Sequence, residues 1–358
     1  MIAGGGTGGH LMPALAIATA LRRAHPDWRI VLVGARRGIE ATLLPSRDFP
    51  FVLLPVEPIY RRQWWKNLRW PFLLPRLLDE VDRLLAKERP ALLIGTGGYA
   101  SGPIVWRAAR RGIPTAMLEL NAYPGLAVRW LARRVREIWL GSPEARKHLR
   151  PGPKTEIVET GAPITPPDPS LREEVLKRFG LDPSRPVLLV TGGSQGALAV
   201  NRVVAEWIEQ GGAASLQVLW AAGRATFGRF ESLHHPPDVQ VYDFLDPIGP
   251  AYAAADLALS RAGMMTLAEL CAWGVPSILV PLPSAAADHQ TPNAIAMERA
   301  GAAIHLPQHE LSAGRLGELV PALLGDPTRL AAMRSAALAR ARPEATARIL
   351  ARIGVYSG

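Results

Sequence analysis

Two α/β halves of the doubly wound, Rossmann-like type are expected, facing one another across a cleft. Three observations predict them. Short apolar strands alternate with helical runs along most of the 358 residues. Each half opens in the same way, on a strand, a glycine turn and a helix, first at residues 1–21 and again at 187–208. A stretch rich in proline and charge, residues 161–186, separates the two openings. The expected division is residues 1–162 and 163–334, with a C-terminal helix of about 335–358 packing back on the first domain.

The elements follow in order. Residues 1–3 make a strand stub, 4–9 a glycine turn holding Thr7, and 11–21 a helix. Residues 29–33 and 51–56 are apolar runs and read as strands. Leu77, Leu78, Val81, Leu84 and Leu85 recur at helical spacing within 76–89, and Pro90 stops that helix. A strand at 91–94 leads to a helix at 103–111, which Gly112 ends. Strands at 115–118, 137–140 and 156–160 enclose a helix at 125–135. After Pro186 come strands at 187–191, 217–220, 239–244, 257–260 and 277–282. Helices fall at 197–208 and 267–273, and 328–352 is an Ala/Arg-rich helical run.

Composition narrows the function classes. Apolar content of 48% and charged content of 20% are those of an ordinary globular chain. The single cysteine, Cys271, excludes an internal disulfide and a cysteine metal cage. No uncharged apolar run reaches the ~18 residues that span a bilayer, and no signal peptide is visible. The chain is therefore expected in the cytoplasm or on the cytoplasmic face of a membrane. Its net charge of +10 is uneven. Residues 1–160 carry 25 Lys and Arg against 13 Asp and Glu, whereas 161–358 carry 16 against 18. The first half should attract an anionic partner. No nucleic-acid motif accompanies the charge, so no nucleic-acid partner is expected.

The glycine turns carry the chemistry. Backbone N–H groups at 4–9 and the following helix N-terminus form an expected anion cradle. His10 stands where turn becomes helix, and a helix N-terminus disfavours imidazolium, which keeps this ring neutral and able to accept a proton. Gly4, Gly6 and Gly9 also satisfy a dinucleotide fingerprint. No acid follows the second strand, which argues against NAD, while Arg36 and Arg37 leave NADP open. In the second half, Ser194 and Gln195 lie in a second turn, and residues 263–266 precede a helix as donors for a diphosphate. Glu269 is placed to chelate a ribose diol. Phe244 and Leu245 form an apolar pair able to sandwich a base, and Gln290 can reach sugar hydroxyls. Residues 60–74 interleave aromatics with four basic residues, a pattern for an anionic lipid surface contacted through Trp64, Trp65, Leu68, Trp70 and Phe72.

Four motifs stand in one order: Gly-Gly-Thr-Gly-Gly-His at 5–10, Gly-Gly-Tyr-Ala-Ser-Gly-Pro at 97–103, Gly-Gly-Ser-Gln-Gly-Ala at 192–197, and Ser-Arg-Ala-Gly-Met-Met-Thr-Leu-Ala-Glu at 260–269. In these the chain resembles the MurG family of bacterial peptidoglycan synthesis. The resemblance implies a glycosyltransferase B fold. It implies inverting transfer of N-acetylglucosamine from UDP to the C4 hydroxyl of undecaprenyl-diphospho-muramoyl-pentapeptide, with His10 as general base. It implies donor contacts from Thr7, Gly8, Gly9, Asn121, Ser194, Leu245, Met264, Met265, Thr266, Leu267, Ala268, Glu269 and Gln290. Gly97, Gly98, Tyr99 and Ser101 are the expected acceptor contacts. Two departures stand out. Thr165 occupies the family's usual arginine position after Gly161-Ala162-Pro163-Ile164, with Arg261 a candidate substitute. Leu120 replaces the glutamine of Glu-Gln-Asn at 119–121. No Asp-x-Asp occurs, so no metal or other cofactor is expected to be required. Rival readings are another enzyme of this fold, such as a UDP-sugar 2-epimerase or a lipid or antibiotic glycosyltransferase, and an NADP oxidoreductase.

Overall fold

The structure, a computed structural model, describes residues 1–58, 60, 64–193, 196–283 and 288–356. The chain forms two compact units, Met1–Ile164 with Glu344–Gly358, and Thr165–Pro343.

The first unit runs β1 (Ile2–Ala3), α1 (Gly8–Ala24), β2 (Leu32–Ala35), α2 (Glu40–Leu43), β3 (Phe51–Leu54), α3 (Trp70–Glu88), β4 (Leu93–Gly95), α4 (Gly98–Arg110), β5 (Thr115–Glu119), α5 (Leu126–Leu131), β6 (Glu137–Leu140) and β7 (Glu156–Glu159). Its seven strands are parallel, in the order β3-β2-β1-β4-β5-β6-β7. The second unit runs α6 (Arg172–Phe179), β8 (Val187–Thr191), α7 (Leu198–Glu209), β9 (Gln217–Ala221), β10 (Val239–Tyr242), α8 (Gly249–Ala254), β11 (Leu257–Ser260), α9 (Met264–Trp273), β12 (Ser277–Leu279), α10 (Gln290–Arg299), β13 (Ala303–His305), α11 (Ala313–Leu324) and α12 (Pro327–Arg340). Its six parallel strands lie in the order β10-β9-β8-β11-β12-β13.

Strands covered by helices on both faces need apolar side chains on both. β8 illustrates this. Leu188 and Val190 enter one core with Trp220, Leu259 and Ile278, while Val187 and Leu189 enter the opposite core with Leu219, Ala258 and Leu279. Side chains alternate across a strand, so one apolar run serves two layers.

Four helices begin three or more residues earlier than their sequence suggests: α1 at Gly8, α3 at Trp70, α4 at Gly98 and α9 at Met264. The first N–H groups of any helix lack intrahelical acceptors, so glycines there forgo little. Pro103 consequently lies inside α4 rather than at its start. β10 stops at Tyr242, leaving Phe244 and Leu245 in the following loop. The three-residue strand β13 and the helix α11 carry too short or too Gly-interrupted a pattern to be read beforehand.

The returning segment is shorter than expected. α12 stays in the second unit, and only Glu344–Gly358, carrying α13 (Ala345–Gly354), joins the first. Pro343 separates the two helices, and Ala341 is already extended. The anchor is Glu137, almost wholly buried. It accepts from Arg352 Nε at 2.9 Å, from Trp139 Nε1 at 2.7 Å and from the Tyr356 hydroxyl. The Arg352 guanidinium also pairs with Glu156 at 2.5 Å.

Candidate functional sites at the two switch points

In a doubly wound sheet the strand order reverses at one point, and loops leaving the carboxyl ends of the two central strands open a crevice there. In the first unit the central pair is β1 and β4, in the second β8 and β11. All four motifs of the sequence sit on those loops.

In the first unit, β1 runs through the turn at 4–7 into α1, whose third residue is His10. The loop after β4 meets it. The Thr96 hydroxyl donates to the His10 carbonyl at 2.8 Å, and His10 Nδ1 lies 3.2 Å from the Thr96 carbonyl oxygen. A carbonyl only accepts, so this contact places the hydrogen of the neutral ring on Nδ1 and leaves Nε2 the basic nitrogen. Gly97 and Gly98 have φ of 98° and 77°. A methyl on Gly97 would come within 2.5 Å of the ring, and one on Gly98 within 1.9 Å of the Gly5 carbonyl. Glycine is thus required at both by conformation and by contact.

The turn at 4–7 is already filled. Both carboxylate oxygens of Glu40 lie 2.9 Å from the Gly6 nitrogen, and Oε1 also accepts from Ala35 N–H at 2.7 Å. Only the α1 start stands open: a methyl at Gly8 would meet nothing within 4 Å. Asn121 follows β5. Its backbone N–H and side-chain amide both donate to Glu119, at 2.9 and 3.0 Å, and Gly125 N–H donates at 2.7 Å. Burial raises the Glu119 carboxyl above its usual range, against the lowering effect of these bonds.

In the second unit the turn after β8 and the loop after β11 line a cavity of about 380 Å³. Its walls include Gly193, Gly196, Arg261, Gly263, Thr266 and Gln290. Arg261 is buried, and its guanidinium donates to neutral oxygens: Val280 and Pro281 carbonyls at 3.1 Å and Gln308 Oε1 at 2.8 Å. Among the described residues no carboxylate pairs with it. Desolvation lowers its pKa, the mark of a cation held without a counter-charge. Further along α9, Glu269 accepts from the buried Tyr252 hydroxyl at 3.0 Å. Burial pushes its carboxyl up to about 7, the Tyr252 bond acting the other way. Among the described residues no three His, Cys, Asp or Glu side chains gather into a metal-binding group.

Residues 1–140 match the model described as the glycosyltransferase family 28 N-terminal domain, and residues 187–349 match the family 28 C-terminal domain. The chain belongs to glycosyltransferase family 28. It is 41% identical over 339 residues to the UDP-N-acetylglucosamine--N-acetylmuramyl-(pentapeptide) pyrophosphoryl-undecaprenol N-acetylglucosamine transferase of Carboxydothermus hydrogenoformans, covering 93% of this chain and 91% of that one. The protein of that name from Porphyromonas gingivalis is 37% identical over 358 residues, covering 98% and 93%. Among solved structures, MurG of Acinetobacter baumannii is similar with a TM-score of 0.77 and 26% identity, over 99% of this chain and 98% of that one.

Within this family-28 chain, the cavity of the second unit gathers Thr266, Gln290 and the candidate Arg261. Gln290 is the first residue of α10 rather than a loop residue, and its side-chain oxygen accepts from Leu282 N–H at 2.9 Å. Leu267 is a core residue whose N–H donates to the Gly263 carbonyl at 3.0 Å, because α9 starts three residues early. The first-turn donors are therefore Met264, Met265 and Thr266. Met264 and Leu245 pack partly against the core, and the Phe244 ring lies under the Arg224 guanidinium at 4.9 Å. Ser194 and Gln195 lie outside the described residues. Thr165 is exposed at the start of the second unit, not in the cavity wall.

In the first unit the turn at 4–7 and the start of α4 are more filled than the sequence suggests. Gly6 N–H belongs to Glu40, so the turn is not an open cradle there, nor a dinucleotide turn. Ser101 is buried and donates to the Gly98 carbonyl of its own helix at 3.1 Å. Tyr99 is half-buried, its ring where a Gly6 side chain would stand. Leu120 is buried against Gly141, so the departure at that position exchanges a polar contact for an apolar one. Glu40, Thr96, Glu119 and Gln308 were not singled out beforehand. For Glu40 a signal existed, since Gly34 and Gly38 flank a lone acid in a short segment.

Around α3, Trp64, Leu68 and Phe72 are 64%, 66% and 78% exposed, and Trp65 is exposed with them. Trp70 instead packs on the core. Among the described residues no helix is long and apolar enough to cross a membrane.

Proposed function

We propose that the chain transfers N-acetylglucosamine from UDP-N-acetylglucosamine to the C4 hydroxyl of undecaprenyl-diphospho-muramoyl-pentapeptide, with inversion. Relatives at 37–41% identity over nearly the whole chain carry the name of that reaction. The observation that carries the reading is the buried Arg261 guanidinium in a glycine-walled cavity, a cation lacking an anion. A donor diphosphate supplies one, helped by the N–H groups of Met264, Met265 and Thr266 at the start of α9. Ionised Glu269 accepts from the ribose hydroxyls.

Nε2 of His10 takes the proton of the acceptor hydroxyl as its oxygen attacks the anomeric carbon. The bond to UDP breaks, and its electron pair goes to the β-phosphate oxygen. A positioned base contributes ~10²–10⁴-fold to such a step. Fixed donors at the departing diphosphate stabilise the charge that grows there. Arg261 and the helix start provide this charge stabilisation without a resident metal, so turnover should persist in EDTA.

The test is product formation from UDP-N-acetylglucosamine and a lipid-linked acceptor analogue. Arg261→Met is expected to weaken UDP binding by about 10- to 100-fold, the worth of a charged hydrogen bond. Unchanged UDP affinity in that variant would remove the donor site from this cavity.

Trp64, Trp65, Leu68 and Phe72 form a contact with an anionic lipid surface on the cytoplasmic face of the membrane. Vesicles containing anionic lipid should sediment the protein, and the Trp64/Trp65/Phe72 triple Ala variant should stay in solution. Equal sedimentation of the two would discard this contact.

A further inference from the structure

Glu40 is 0% exposed, and among the described residues no Lys, Arg or His pairs with it. A buried carboxylate persists only where donors meet it. Here the donors are the backbone N–H groups of Gly6 and Ala35. Space for it is reserved by three glycines. A methyl at Gly5, Gly34 or Gly38 would come within 2.1, 2.4 and 2.3 Å of its side chain. The glycine-rich turn thus encloses an anion that the chain itself provides.

The turn's geometry depends on that anion. Gly6 has φ of 91°, with its N–H directed at the carboxylate, and α1 begins two residues later. The opposite side is clamped through Thr96 and Gly98, which touch the His10 carbonyl and the Gly5 carbonyl. His10 is reached from both clamps within four residues.

We propose that Glu40 is a positioning residue for glycosyl transfer, an internal anion that holds the turn at 4–7 and thereby sets the His10 ring for proton removal. This rests on the reading of His10 as the base. Glu40 touches no substrate. It also reserves Gly6 N–H, so a substrate phosphate reaching the first unit meets only the open start of α1.

The test uses the full chain in the product-formation assay. Glu40→Gln removes the charge, and Gly38→Ala keeps the charge but displaces the carboxylate. Both are expected to lower kcat about 10- to 100-fold, the cost of ångström-scale misplacement. Donor KM and UDP affinity should stay within about twofold, since no ground-state contact is lost. Glu40→Ala deletes the atoms of an acetate ion, and added acetate should restore part of its turnover but none to His10→Ala. The proposal is overturned if Glu40→Gln and Gly38→Ala keep wild-type kcat, if their losses vanish once normalised to the folded fraction, or if acetate leaves Glu40→Ala unchanged. An active His10→Ala variant would instead overturn the base assignment beneath it.

Discussion

At the first switch point a buried acid, Glu40, takes the N–H of Gly6, while at the second a buried cation, Arg261, donates among the described residues to neutral oxygens. The strand orders around them are the same. Both loops are rich in glycine, and both lead into a helix start. Shared topology therefore supplies a location, and a few side chains decide what that location accepts. The first site is self-neutralised and presents an imidazole with its basic Nε2. The second holds a guanidinium that, among the described residues, meets no carboxylate. Under the proposed transfer, the first site supplies the proton acceptor and the second the seat for the leaving diphosphate.

The contrast is broken or sharpened most strongly at His10. His10→Ala should cut kcat by ~10²–10⁴-fold while UDP titration stays unchanged. A parallel loss of UDP affinity in calorimetry would mean that the two sites do not divide the work.

The units also differ in how they are completed, and Arg352 tests this. Arg352→Met strips a cation from buried Glu137 and should lower stability by about 3 kcal/mol at pH 7 in urea titrations. Burial pushes the Glu137 carboxyl up, but the bonds from Arg352, Tyr356 and Trp139 hold it below its ordinary 4.5 overall. A depressed carboxyl stabilises the fold above its unfolded pKa and ceases to as pH falls through the folded value. The gap between variant and wild type should therefore narrow in acid. A gap that is constant with pH would detach it from Glu137.

The smallest effect concerns Glu269. Its raised carboxyl, at about 7, favours the fold below the ordinary 4.5, and that contribution is lost as pH rises through 7. In the proposed donor site binding runs the other way, because diol hydroxyls need the ionised form. Donor KM should rise about tenfold between pH 8 and pH 6, matching one pKa unit of ionisation. Glu269→Gln should show a high KM without that slope. A flat wild-type profile would leave the diol without this partner.

What the sequence made legible follows from the range of the forces involved. Strand and helix alternation is local, so the two sheets and the repeated strand-turn-helix openings were readable from apolar runs such as Val187–Thr191. His10 and Arg261 stand out in the sequence because their motifs lie beside them in the chain. Glu40 was not, because its partner Gly6 lies 34 residues away and only tertiary contact joins them. Leu267 and Ser101 entered the expected contacts through the family resemblance, whereas α9 and α4 begin early enough to bury both. Glycines and Pro103 suggest a loop locally, and packing extends α4 and α9 back through those positions. Trp70 shares its aromatic character with Trp64 and Trp65, and only the facing core distinguishes it.

The discontinuity of the first unit has a bearing on how the protein is made. Residues 1–164 leave the ribosome long before Arg352 and Tyr356 exist, so the nascent chain carries Glu137 with neither partner until those two residues have been made. The second unit, encoded as one uninterrupted stretch, has all its residues available first. Synthesis thus imposes an order in which the first unit is sealed only after every residue of the second has been made.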